Sequence, residues 1–113
     1  MLAQYIQPKF VSNAFVIDVS NYDYAVVQFV SPSGTINITS TNDSGDVEGT
    51  TDGNASTAAN FTTVYATKLS TNTAVTAVDA AGLYKINVAG RYLRFGGTSA
   101  AATKIIVMLT KIS

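Results

Sequence analysis

The chain has 113 residues, no cysteine and no histidine, and its seven basic residues balance seven acidic ones. The missing thiols exclude a disulfide framework and a thiolate metal site, and the missing imidazole removes the commonest general base and metal ligand. Zero net charge excludes the broad field that draws proteins to nucleic acid or to an anionic membrane surface.

The length fits one domain, residues 1–113, able to bury a core without covalent staples. Charged residues make up 12% of the chain while apolar residues make up 47%, against roughly 25% charged in an average globular domain. The polar remainder is mostly Thr, Ser and Asn, so the expected surface is uncharged and rich in hydroxyls. Such a surface is poorly protected against association, which suggests that neighbouring chains cover part of it. The N-terminus has neither a basic start nor an apolar run of signal-peptide length, so no cleaved export signal is expected. No stretch approaches the roughly 18 apolar residues of a membrane span.

Residues 1–12 read as an N-terminal arm carrying Tyr5, Ile6, Phe10 and Val11. Beyond it the apolar pattern has period two, with no sustained helical period. Phe15, Ile17 and Val19 share one strand face, and Ala25, Val27 and Phe29 share the next. Ser31-Pro32-Ser33-Gly34 marks a reversal before the alternating Ile36 and Ile38. Strand character then disappears, and residues 43–60 read as one long loop, a length that is often functional. Strands resume from Thr62 to Leu69, Ala74 to Val78, Tyr84 to Val88, Arg91 to Phe95 and about Ala102 to Ile112. About eight short strands with brief connections predict an all-β, antiparallel, jelly-roll-like sandwich. The last strand is unusual. Ile105, Val107 and Leu109 lie on one face, yet Ile106, Met108 and Ile112 lie on the other. A sandwich strand needs one apolar face, so either the N-terminal segment or another subunit should cover the second.

Little in the chain suggests catalysis, and no enzyme activity or cofactor is expected. Asp43, Asp46, Glu48 and Asp52 cluster in the long loop, but their spacing does not match a calcium-binding loop. No pair of carboxylates is placed across a sugar-sized gap, and Gly96-Gly97-Thr98-Ser99 lacks the spacing of a phosphate cradle. Tyr22, Tyr24, Tyr92 and Phe95 are candidates for an aromatic platform that stacks on sugars, although Phe95 suits the core better. Arg94 should point away from Leu93 and Phe95, toward solvent or a partner, where a guanidinium suits a carboxylate across a subunit boundary. The acidic loop is one source of that carboxylate, since six of the seven acids precede Thr67 and six of the seven bases follow it.

The stretch from Asp79 to Phe95, with Gly82-Leu83-Tyr84 and Val88-Ala89-Gly90 ahead of Arg91-Tyr92-Leu93-Arg94-Phe95, resembles a β-sandwich module of tailed-phage structural proteins. Phe15-Val16-Ile17-Asp18-Val19-Ser20, the strand from Tyr24 to Phe29, and Gly34 to Gly45 are similar to its opening and middle strands. The likeness spans roughly residues 14–112 and departs from the family along the loop from Asp46 to Asn60. It implies a non-enzymatic virion protein, of capsid decoration or cement, head-fibre or tail-fibre type. The expected form is a homo-oligomer, taken as a trimer, that binds the major capsid protein at the capsid surface and stabilises the shell. Tyr5, Ile6, Phe10, Asp46, Glu48 and Arg94 are the expected partner contacts. The alternative is a carbohydrate-binding or assembly module of a tail fibre or adhesin, with a glycan as ligand.

Overall fold

The computed structural model describes residues 2–6, 14–32, 34–46, 48–97 and 104–112. Among them there is no helix, and eleven strands form two antiparallel sheets. The strands are β1 (Leu2–Ile6), β2 (Ala14–Asp18), β3 (Tyr24–Val30), β4 (Ile36–Thr41), β5 (Thr62–Thr63) and β6 (Ala66–Lys68), followed by β7 (Thr73–Val75), β8 (Ala77–Val78), β9 (Gly82–Asn87), β10 (Tyr92–Gly96) and β11 (Lys104–Lys111). One sheet has the order β1-β11-β3-β9-β6-β7; the other has β2-β10-β4-β5, with β8 also paired to β4. From β1 to β4, and again from β8 to β11, each successive strand lies in the opposite sheet, the sheet-to-sheet alternation of a jelly-roll-like sandwich. The shortest molecular dimension is 22 Å, which suits two sheets about 10 Å apart with their outward side chains.

Two stretches that read as single strands are each divided. Thr62–Thr63 pairs with β4 while Ala66–Lys68 pairs with β9, and the chain changes sheet between them at Val64-Tyr65. Thr73–Val75 and Ala77–Val78 divide in the same way at Thr76. A strand that bends from one sheet into the other closes a corner of the sandwich. Local sequence does not show this, because each half keeps its strand-like composition. Within the N-terminal segment, residues 2–6 form an edge strand against β11, with Tyr5 opposite Met108 and Ile6 opposite Val107.

The core lies between the sheets. Ala25, Val27, Phe29, Tyr84, Ile86, Ile105, Val107 and Leu109 face inward from the six-stranded sheet, and Ile17, Ile36, Ile38, Leu93 and Phe95 meet them from the other. Three rings lock the layers together. Phe29 meets Tyr84 edge-on at 5.4 Å within one sheet and Phe95 at 5.9 Å across the gap. Edge-to-face pairs of this kind add about 0.5–1.5 kcal/mol beyond the area they bury. The Tyr84 hydroxyl donates to the Ala80 carbonyl at 3.0 Å, so the buried ring keeps its polar tip satisfied. Burial, helped by the charge of Asp79, raises the Tyr84 pKa above its ordinary value.

Phe95→Ala is expected to cost about 3–5 kcal/mol through the lost burial and the cavity left behind. A double-mutant cycle of Phe29→Ala and Phe95→Ala, followed by denaturant unfolding, should return a favourable coupling of about 0.5–1.5 kcal/mol.

Candidate functional site

Between β4 and β5 the described residues form a long loop closed by its own hydrogen bonds. Asp43 is the hub. Its Oδ1 accepts from the Gly45 amide at 2.8 Å, its Oδ2 accepts from Asn60 Nδ2 at 2.6 Å, and its carbonyl accepts from the Ala59 amide at 3.0 Å. The two ends of the loop are thereby tied across the base. Gly45 has φ 74°, and a Cβ there would lie 2.1 Å from the Thr57 carbonyl oxygen, so only glycine lets the two branches approach. Thr57 Oγ1 donates to the Ser44 carbonyl, and the Gly53 amide donates to Asp46 Oδ1. Asn60 adopts φ 55°, a left-handed conformation that asparagine tolerates better than most residues.

These bonds decide the chemistry of the acidic cluster. Asp43 and Asp46 spend carboxylate oxygens on the loop's own amides, and Asp52 Oδ1 accepts from Thr50 Oγ1 at 2.8 Å. Glu48 is exposed. Among the described residues no three acidic groups come together as a metal site. The Gly45 amide first, and the Asn60 amide second, hold the Asp43 pKa below its ordinary 3.8.

Beside the base of the loop, Ser40, Thr41, Asn42, Asn60, Thr62, Val64, Ala89 and Gly90 line an open cleft of about 260 Å³. Its hydroxyls and amides are partly engaged. Ser40 Oγ donates to the Tyr92 carbonyl, Thr41 Oγ1 to the Ala59 carbonyl, and the Arg91 amide to Asn42 Oδ1. A Cβ on Gly90 would sit 2.5 Å from Ser40 Oγ, so a larger residue there would push apart the cleft wall.

Arg94 lies on the outer face of the five-stranded sheet, as its alternation with Leu93 and Phe95 predicts, but it does not extend freely into solvent. It is half-buried, its guanidinium carbon is 4.1 Å from the Phe61 ring centre, and its Nε donates to Thr39 Oγ1 at 3.2 Å. The stack and the hydrogen bond hold the planar fork in one orientation. Phe61, the residue just past the loop, went unnoticed in the sequence; the available signal was its being the one aromatic between Thr41 and Thr63.

The anticipated contact residues do not converge. Tyr5 and Ile6 belong to an edge strand of the six-stranded sheet, Arg94 lies on the outside of the other sheet, and Asp46 and Glu48 sit in the loop after β4. Phe10 falls outside the described residues. The aromatic platform is not assembled: Phe95 is in the core, Tyr92 is buried, and Tyr22 packs against the core cluster. Tyr24 is half-buried beneath the Lys85 ammonium, which is 4.7 Å from its ring centre. The most exposed aromatic among the described residues is Tyr65, at 71%. No protein-family model matches the chain, and neither a curated protein nor a solved structure matches it.

The lowered Asp43 pKa has a definite sign. The support that the ionised carboxylate lends the loop is fully present above the ordinary value of 3.8 and is lost as pH falls through the lower folded value. Acid titration followed by NMR should move the Gly45 and Asn60 signals together below pH 3.8, ahead of any change in core residues. Asp43→Ala should speed amide exchange at Gly45 and Ala59 at neutral pH without unfolding the sandwich.

Proposed function

We propose that this chain is a non-catalytic structural protein of a tailed-phage particle, a decoration subunit that binds between capsid subunits and stabilises the shell. The observation that carries the reading is the outer face of β11. Ile106 and Met108 lie on the side of the six-stranded sheet opposite the core, and β1 extends that sheet at its edge instead of lying across it. An apolar face on a small antiparallel domain marks a surface made to meet other protein. The low charge content supports the same reading, as does the resemblance of residues 14–112 to virion sandwich modules. Stabilisation would follow from mass action: a subunit that binds the assembled shell and not its dissociated parts shifts the equilibrium toward the shell.

Arg94 is the polar anchor within this reading. Its fork is already oriented by Phe61 and Thr39, so little side-chain entropy is lost when a capsid or neighbouring carboxylate docks. Glu48, exposed in the loop, is an acidic residue available to supply such a group from another copy.

Imaging of purified particles should place copies of the protein at regular positions on the capsid, and adding the protein to undecorated shells should raise their disruption temperature. Arg94→Ala should stay folded and lose binding to shells by at least about tenfold, the scale of a hydrogen bond to a charged group. Absence of the protein from particles, with no uptake by undecorated shells, would overturn the proposal.

A further inference from the structure

We infer that the cleft at the base of the long loop binds a neutral sugar, a single pyranose ring held by its hydroxyls. The inference goes beyond shell binding and does not rest on it. The cleft lies where the core runs out. The inward positions of β4 are Ile36, Ile38 and then Ser40, so the strand ends in a hydroxyl where an apolar side chain would close the sandwich. Thr62 stands opposite Ser40 on β5, and Val64, which packs against the core cluster, continues the same wall.

Bonds made behind the wall fix the direction of its polar groups. Asn42 Oδ1 accepts from the Arg91 amide at 3.1 Å, which leaves Nδ2 as a donor. Asn60 is engaged the other way round: its Nδ2 donates to Asp43 Oδ2 at 2.6 Å, which leaves Oδ1 as an acceptor. Ser40 Oγ gives its proton to the Tyr92 carbonyl at 2.8 Å and keeps its lone pairs. Thr62 is exposed, and its hydroxyl has no partner among the described residues. The same holds for Asn42 Nδ2 and Asn60 Oδ1. The cleft therefore offers a donor, two acceptors and one hydroxyl that can do either.

This set matches neutral hydroxyls. A sugar hydroxyl donates and accepts at once, so neighbouring hydroxyls of one ring serve the Asn42 donor and the Asn60 acceptor. An inorganic anion has no proton for Asn60 Oδ1, and an ammonium has no lone pair for Asn42 Nδ2. None of the residues lining the cleft is charged, and Val64 and Ala89 supply apolar surface for the ring's C–H groups. At about 260 Å³ the cleft falls just below the roughly 300–1,000 Å³ usual for ligand sites, so it suits one ring and not a chain. None of the lining residues is aromatic, because Phe61, between Asn60 and Thr62, is turned onto Arg94. A ligand of about a dozen heavy atoms held without ring stacking should bind with a dissociation constant on the order of millimolar.

NMR titration of the isotope-labelled protein with the methyl glycosides of glucose, galactose, mannose and N-acetylglucosamine tests this. At least one should shift the Asn42, Asn60 and Thr62 signals saturably, while Gln28 on the other sheet stays still. Asn42→Asp keeps the oxygen that accepts from Arg91 and removes the donor. Thr62→Val removes the hydroxyl from an exposed strand position. Each variant should keep wild-type circular dichroism and thermal unfolding and weaken binding at least about fivefold, the scale of one hydrogen bond. Inorganic phosphate should leave the cleft signals unmoved. Signals that none of the four glycosides moves at about a hundred times the expected constant would overturn the inference. So would larger shifts with phosphate, or folded variants that bind as the wild type does. No readout here depends on capsid shells, so this inference and the proposed function fail separately.

Discussion

Phe95 reaching from β10 into the edge-to-face contact with Phe29, which in turn meets Tyr84, is the interaction on which the arrangement of this protein depends. It joins the central strand pairings of both sheets, since β10 pairs with β2 and β4 while β3 pairs with β11 and β9. Because side chains alternate along a strand, each inward ring dictates what lies outside it. Phe95 inward sends Arg94 outward beside Thr39, and Phe29 with Tyr84 inward sends Gln28 and Leu83 outward side by side. A slip of one residue would exchange core and surface on the affected strand. The packing that holds the layers together therefore also composes both outer faces.

The long loop is governed by a different constraint. It contributes almost nothing to the core, and its order comes from the Asp43 carboxylate and from the close passage of Gly45 against Thr57. A carboxylate that accepts from backbone and side-chain amides is stabilised as the anion, but it has fewer lone pairs to offer a cation. The same bonds that order the loop thus engage the carboxylates of Asp43 and Asp46 within it, while Glu48 is exposed.

The outer faces of the two sheets differ in kind. One carries a guanidinium clamped by an aromatic ring among hydroxyl and amide groups, suited to recognising an anionic group. The other carries an apolar depression with a single carboxamide at its centre, suited to broad contact and shape matching.

The sequence by itself determined the class of fold, the positions of most strands and the inward set of the core. Those properties follow from period-two alternation and from clusters of turn residues, both local along the chain. It also placed Arg94 on an outer face and marked β11 as apolar on both sides. The tertiary structure alone decided that residues 2–6 would pair with β11, and that the stretches 62–68 and 73–78 would each divide between sheets. It alone set Phe61 under Arg94, and it placed Gln28 between Leu83 and Ile106. Each of those outcomes joins residues more than twenty positions apart or chooses between two sheets of similar composition. Local pattern cannot encode such a choice, because hydrogen-bond partners in a sheet are selected by the packing of the whole core and not by the strand that carries them.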